Sequence, residues 1–209
     1  MEITLLGHDC FRLKGREVAL VTDPFAPAEG SLRVGADIVT VSHGHPGHDN
    51  VDAVEGSPRA VTGPGEYEIK GVLITGVATF HDAEGGKARG RNTVYLVEMD
   101  DLRLCHLGDL GHVLSSDQVD EIGTVDVLFI PAGGQGTISS AQAAEVISQL
   151  EPNVVVPMDW MTRDGQPNGA LEKFCHEMGI KEIETQPRLS VAKGSLPSET
   201  QVVVLEARR

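Results

Sequence analysis

Three histidines fall within the six residues His43-Gly44-His45-Pro46-Gly47-His48. The run before them, Ala36-Asp37-Ile38-Val39-Thr40-Val41-Ser42, is apolar and β-branched, which is the composition of a buried strand. The histidines therefore occupy the Gly- and Pro-rich loop at which that strand ends. Three imidazoles at one strand end make little sense as core packing, because each would need its own buried partner. They make good sense as nitrogen ligands for a zinc-like cation.

Three more donors stand directly after strand-like runs. His81 follows Val77-Ala78-Thr79-Phe80, Asp109 lies in His106-Leu107-Gly108-Asp109-Leu110-Gly111-His112, and Asp159 follows Val154-Val155-Val156-Pro157-Met158. Strand ends that converge on one rim are how a β scaffold gathers a site from distant sequence. Any one of these residues taken alone reads as structural; four such strand ends together point to a site.

The elements that must position them follow from periodicity. Ile3 to Leu6, Phe11 to Leu13 and Val18 to Thr22 read as an opening meander that turns at Gly15-Arg16. Val72 to Thr75, Thr93 to Val97 and Leu102 to Cys105 read as further strands. The second half alternates. Val125 to Ile130 is a strand, and Ser139 and Gln142 have capping-box spacing ahead of a helix with Ala144, Ile147 and Leu150 on one side. Val154 to Val156 is the next strand, then a helix carries Leu171, Phe174, Cys175 and Met178 in register and stops at Gly179. Gln201 to Leu205 closes as a strand. Strands first and strand–helix alternation later imply two packed sheets with helices outside.

Composition narrows the class. With 209 residues the chain needs no more than one domain, 1–209, and 40% hydrophobic with 23% charged residues is the balance of a soluble globular protein. No apolar run reaches membrane-spanning length, so no membrane partner is expected. No basic-then-apolar leader opens the chain, which makes a cytoplasmic location the expectation. A formal charge of −14 argues against a nucleic-acid partner, whose phosphates demand clustered Lys and Arg. The one basic cluster, Lys87-Ala88-Arg89-Gly90-Arg91, reads as a solvated loop or as an anchor for an anionic substrate. Cys10, Cys105 and Cys175 are scattered in apolar patterns and read as small buried hydrophobes. Oligomeric state is left open, a homo-oligomer included.

The chain resembles the metallo-β-lactamase superfamily, whose motif is His-x-His-x-Asp-His followed by a later His, a later Asp and a final His. Leu6-Gly7-His8, Thr22-Asp23-Pro24-Phe25, Gly65-Glu66-Tyr67-Glu68, Phe80-His81-Asp82, Gly90-Arg91-Asn92-Thr93, His106-Leu107-Gly108-Asp109 and Val156-Pro157-Met158 extend the likeness over nearly the whole chain. It is similar in particular to short metal-dependent hydrolases related to L-ascorbate-6-phosphate lactonase. The resemblance implies an α/β (α+β) fold, a four-layer αββα sandwich with the metal site at one edge. It implies His43, His45 and His81 as the first metal site, Asp109 as the carboxylate shared by two metals and His48 as a ligand of the second. It implies Asp23 as a carboxylate that orients a ligand imidazole, where the residues alone also allow a turn-forming Asp before proline. Asp82 reads as a local hydrogen-bonding residue and Asp49 as a cap or a further donor.

Two positions depart from the pattern. The motif aspartate is Gly47, and the final histidine is Asp159. Glycine offers no ligand, whereas a carboxylate oxygen still binds metal, so the second site becomes His48, Asp109 and Asp159 and favours a harder ion. One or two ions are expected, Zn2+ with Mn2+ or Fe2+ as alternatives. The expected function is metal-dependent hydrolysis of a small lactone, ester or phosphate-bearing compound by activated water. Asp109 and His112 are the candidate catalytic side chains, and Arg89, Arg91 and Asn92 the candidate substrate contacts. His8 reads as either bordering the site or packed, His106 as structural, and His176 as solvent-facing. The rival reading is a non-catalytic binding or regulatory member with a decayed second site; a nuclease is disfavoured by the charge.

Overall fold

Burial alternates along the N-terminal strands and splits their apolar residues between two faces, so this sheet is covered on both sides. A computed structural model of the protein describes residues 1–26, 32–134, 136–161 and 166–208. Five strands come first: β1 (Glu2–Gly7), β2 (Cys10–Lys14), β3 (Ala19–Thr22), β4 (Ile38–Val41) and β5 (Arg59–Thr62). Then follow β6 (Gly65–Ile69), β7 (Val72–Phe80), β8 (Arg91–Met99), β9 (Leu102–His106) and helix α1 (Ser116–Ile122). The remainder is β10 (Val127–Pro131), α2 (Ser140–Leu150), β11 (Val154–Met158), α3 (Ala170–Glu177), β12 (Thr185–Gln186), β13 (Leu189–Ser190), β14 (Gln201–Val202) and β15 (Val204–Leu205).

Two large sheets result, ordered β13-β1-β2-β3-β4-β5 and β14-β11-β10-β9-β8-β7-β6, with a small β12-β15 pair beside them. They pack face to face: the rings of Phe11 in β2 and Phe129 in β10 lie 4.5 Å apart. This is the expected mixed α/β sandwich. Helix α2 spans the crossover between the parallel strands β10 and β11. It starts at the expected capping box, where Ser139 Oγ accepts the Gln142 N–H and Gln142 Oε1 accepts the Ser139 N–H. It buries Ala143, Val146, Ile147 and Leu150. Helix α3 buries Leu171, Phe174 and Cys175 and ends before Gly179, whose φ of 71° suits glycine. Over the outer face of the first sheet, Leu6, Cys10, Val21, Val39 and Val41 are covered by Val34, Ala36 and Val54, which flank a single 3-10 turn, Val51–Ala53. The three cysteines are buried free thiols. No helix among the described residues is long and apolar enough to cross a membrane.

Strand direction is what places the site. In the first sheet β1 and β3 each pair antiparallel with β2, and β4 runs parallel to β3, so β1, β3 and β4 end at one edge. In the second sheet β7 and β9 each pair antiparallel with β8, and β9, β10 and β11 are parallel. The carboxyl ends of β7, β9 and β11 therefore share an edge too. At this edge two backbone contacts tie the sheets together: the Tyr95 hydroxyl of β8 donates to the Val41 carbonyl at 2.9 Å, and the Thr93 N–H donates to the Ser42 carbonyl at 2.9 Å. Tyr95 is wholly buried. Tyr95→Phe is expected to strand the Val41 carbonyl and lower unfolding free energy by about 1–2 kcal/mol in a urea melt; an unchanged midpoint would show that the hydroxyl contributes nothing to joining the sheets.

Candidate metal centre

The histidine loop is a tight turn held by its own backbone. The His48 and Asp49 N–H groups both donate to the His45 carbonyl, at 2.8 and 3.1 Å, and the Asn50 N–H reaches back to the Pro24 carbonyl at 2.8 Å. This folds His48 under His43, with ring centroids 4.4 Å apart. His45 stays at the surface, where its Nδ1 accepts the Gly47 N–H at 3.1 Å.

Asp23, at the end of β3, organises this loop from below. Its buried carboxylate accepts the Ser42 N–H at 2.7 Å, the Ser42 hydroxyl at 2.5 Å and the His48 Nδ1–H at 3.2 Å. Ser42 Oγ lies 2.9 Å from His43 Nδ1 and, with its own proton on Asp23, accepts from that nitrogen. One carboxylate thus fixes two imidazoles with their Nε2 atoms facing the site. Asp23 thus hydrogen-bonds the His48 imidazole, and the residue also makes the turn, at φ 40°. Burial alone would raise its pKa, but the hydrogen bond from His48 and the charges of His106 and His48 hold it below the ordinary carboxylate value.

Across the edge, His81 Nδ1 lies 3.2 Å from the Gly136 carbonyl and donates to it, so its Nε2 faces inward. Asp109 follows β9 through Gly108, whose φ of 55° and position against Ser42 Cβ and Asn92 Oδ1 leave no room for a side chain. One oxygen, Asp109 Oδ2, then receives three imidazoles: His81 Nε2 at 3.0 Å, His48 Nε2 at 3.5 Å and His43 Nε2 at 3.6 Å.

Three sets of donor atoms lie within 4.8 Å of one another: His43–His45–His48, His43–His81–Asp109 and Asp9–His48–Asp109. Asp109 belongs to two of these sets, one on each side of the centre. Asp159 belongs to no such set among the described residues. It still feels the charges of Asp109, His48 and His81, and the turn at φ 53° aims it at the same edge. Asp9, between β1 and β2, was not singled out in the sequence, although it follows a strand just as Asp109 and Asp159 do; the adjacent His8 is the more conspicuous residue. His8 lies edge-on to Phe25, and its carbonyl is 3.4 Å from the Asp159 amide.

The electrostatics are those of a site built for a cation. Burial first, then Asp109, pushes the Asp159 carboxyl up to about 7. Burial and the charges of Asp159, Asp109 and Asp23 raise Asp9 well above its ordinary value. Burial is outweighed at Asp109, which its histidines hold well below the ordinary range. His43 is pushed down to about 4 by burial and by His48. His48 is raised to about 9, because the hydrogen bond and charge of Asp23 overcome burial. Asp9, Asp23, Asp109 and Asp159 crowd one largely buried space, and Asp9 Oδ1 is buried with no hydrogen-bond partner. The donor set therefore fits one or more divalent cations.

One expected role is corrected. His112 is not free to act as an acid: its Nε2 accepts the Phe80 N–H at 3.1 Å and its Nδ1 donates to the Val113 carbonyl at 2.8 Å. Asn92 lies in the wall of the cleft beside His43, but its side chain is spent on the protein. It is 1% exposed, its amide donates to Thr79 Oγ1 and the Leu107 carbonyl, and its Oδ1 accepts the Asp109 N–H at 3.0 Å. Its role is to hold the Asp109 loop. His106 is structural, as expected: its Nε2 donates to the Asp9 carbonyl at 2.8 Å and its Nδ1 accepts the Gly108 N–H. Asp82 is local, as expected, accepting the N–H groups of Glu84, Gly86, Ala88 and Arg89. This shapes the loop that presents Arg89, whose guanidinium occupies the space a side chain at Gly136 would need. Arg89 and Arg91 line a cleft of about 940 Å³ that opens beside His43, together with Ser42, Thr62 and Phe80.

Residues 2–159 match the family of the β-lactamase superfamily domain, and the chain belongs to that superfamily. A crystal structure from Thermotoga maritima, classed as a Zn-dependent hydrolase of the metallo-β-lactamase superfamily, is 38% identical and superposes with a TM-score of 0.77, covering 98% of this chain and 97% of that one. A UPF0173 metal-dependent hydrolase of Thermococcus onnurineus is 28% identical over 192 residues, 78% of this chain and 85% of the relative. A structure from Parabacteroides distasonis, classed as a metal-dependent hydrolase, shares the fold at 16% identity, with a TM-score of 0.68 over 99% of this chain and 93% of that one.

Asp23→Asn would point an amide N–H at groups that now donate to a carboxylate. It is expected to weaken zinc binding by about 10–100-fold, read by competition with a fluorescent chelator. Unchanged affinity would show that Asp23 does not orient the imidazoles.

Proposed function

We propose that this chain is a metal-dependent hydrolase of a small anionic substrate bearing an acyl or phosphoryl centre: a lactone, an ester or a phosphate-bearing compound. The observation that carries the reading is the convergence of His43, His48 and His81 on a single oxygen of Asp109, beside a cleft with Arg89 and Arg91 in its wall. His43, His45 and His81 with Asp109 would hold a first cation; His48, Asp109 and Asp159 would serve a second. When bound, such cations supply Lewis acidity, polarising the substrate oxygen and making water acidic enough to react near neutral pH.

The protein's own groups do the rest. Gly136 takes the proton on His81 Nδ1 as a hydrogen bond, and Asp23 takes that on His48 Nδ1, so both rings offer an Nε2 lone pair. Asn92 fixes the Asp109 backbone, which keeps the shared carboxylate in place with little reorganisation. Arg89 and Arg91 would bind the substrate's negative charge, leaving the reacting carbonyl or phosphoryl group towards His43.

A binding or regulatory member is the second reading, favoured by Gly47, which carries no ligand, and by Asp159, which lies outside the three-donor sets. Stripped protein reloaded with Zn2+, Mn2+ or Fe2+ and offered lactones, esters and phosphodiesters separates the two. Turnover abolished by chelator and restored by metal is expected; no turnover at any loading would favour the binding role. Among active substrates, Arg89→Ala is expected to raise KM on the order of tenfold for anionic ones with kcat nearly unchanged. An unaltered KM would remove Arg89 from the substrate site.

A further inference from the structure

We propose that Asp9 is a metal ligand, and that with His48, Asp109 and Asp159 it forms an oxygen-dominated second seat for a harder divalent ion. This rests on the metal centre described above and extends it in two ways. It names a ligand that replaces the carboxylate absent at Gly47, and it makes the centre chemically unequal. A seat drawn from His43, His45 and His81 would be rich in nitrogen and suit zinc, whereas the seat at Asp9 would have three carboxylates and one imidazole and suit Mn2+ or Fe2+.

Asp9 has nowhere else to go. Its carbonyl accepts the Thr22 hydroxyl at 2.9 Å from the first sheet and His106 Nε2 at 2.8 Å from the second. Clamped between the sheets, the residue is only 2% exposed. Its Oδ2 lies 3.6 Å from His48 Nδ1, and one of its oxygens is within 4.8 Å of donor atoms of both His48 and Asp109. Its Oδ1 is buried and meets no hydrogen-bond donor.

A structural role for this carboxylate would be to orient His48, as Asp23 does. That role is already filled. His48 Nδ1 carries one proton, and Asp23 receives it at the shorter distance of 3.2 Å. Beside Asp109, Asp23 and Asp159, this buried carboxyl keeps one oxygen without a hydrogen-bond partner, and a cation would supply that partner. Asp9 and Asp109 would give such a cation oxygen and His48 a ring nitrogen, with Asp159 completing the set.

The full-length protein, stripped of metal, should be given one equivalent of Zn2+ and then titrated with Mn2+, followed by calorimetry and by electron paramagnetic resonance. Wild type is expected to hold one ion of each kind. Electron spin-echo modulation of its Mn2+ should show coupling to a single imidazole nitrogen, that of His48. Asp9→Asn is expected to retain the zinc and to weaken Mn2+ binding by at least about tenfold. Mn2+ coupled to two or more imidazoles, or Mn2+ bound by Asp9→Asn with wild-type affinity, would overturn the proposal. So would zinc binding with no Mn2+ uptake, which would leave the zinc centre standing. If wild type bound neither ion, the metal reading of the preceding subsection would fall as well. The wild-type spin-echo measurement stands whether or not Asp9→Asn folds.

Discussion

Negative charge buried where two sheets end is the constraint around which this molecule is arranged. Asp9, Asp23, Asp109 and Asp159 meet a cluster of imidazoles in a space that excludes most water. Carboxylates this close cannot all stay ionised without compensation, and histidine protons supply only part of it. The distribution of pKa shifts records the division of labour. Carboxylates that hold histidines, Asp23 and Asp109, are pushed down. Asp9 and Asp159, pushed up by burial first and then by the carboxylates they face, go the other way. A divalent cation held by these groups would resolve the imbalance that neither set resolves alone.

The fold serves this cluster through strand direction. Asp9, Asp23 and His43 follow β1, β3 and β4, which end at one edge of the first sheet. His81, Asp109 and Asp159 follow β7, β9 and β11 at the matching edge of the second. The apolar core between the sheets brings these edges together, and a few polar contacts lock the distance: Tyr95 to Val41, Thr93 to Ser42 and His106 to Asp9. Gly108 permits the closest approach, since its Cβ would strike Ser42 and Asn92. The turns that carry these residues therefore have rigid strands behind them, and several have a cross-sheet contact beside them.

Much of this was legible in the residues. The β-branched runs and the Ser139–Gln142 capping box located most strands and α2, because local periodicity determines them. Helix α1 was missed although Ser115 and Gln118 also form a capping box, since its seven residues bury only Ile122 and give no apolar stripe. Strands β5 and β6 were not read as such because they are largely exposed, and Glu66 and Glu68 interrupt any apolar pattern. Residues that follow strands make up most of the cluster, which is why His43, His48, His81 and Asp109 stand out in the sequence. The roles of His112 and Asn92 were not readable, because they depend on hydrogen bonds to Phe80 and Leu107, which are distant in sequence. Asp9 was hidden by the same limitation: its importance comes from neighbours that only the meeting of two sheets supplies.

The departures at Gly47 and Asp159 acquire meaning together. A glycine in the histidine loop and a carboxylate at Asp159 would shift the proposed centre from nitrogen towards oxygen, and the buried Asp9 groups with His48 and Asp109. The superfamily's edge-of-sandwich site is thus kept in its architecture and altered in its chemistry. The most direct test is anomalous diffraction from crystals grown with zinc and manganese, recorded at both absorption edges. Zinc among His43, His45 and His81, with manganese between His48 and Asp109 on the Asp9 side, is the predicted result. Crystals with no anomalous peak within bonding distance of Asp109 would contradict it.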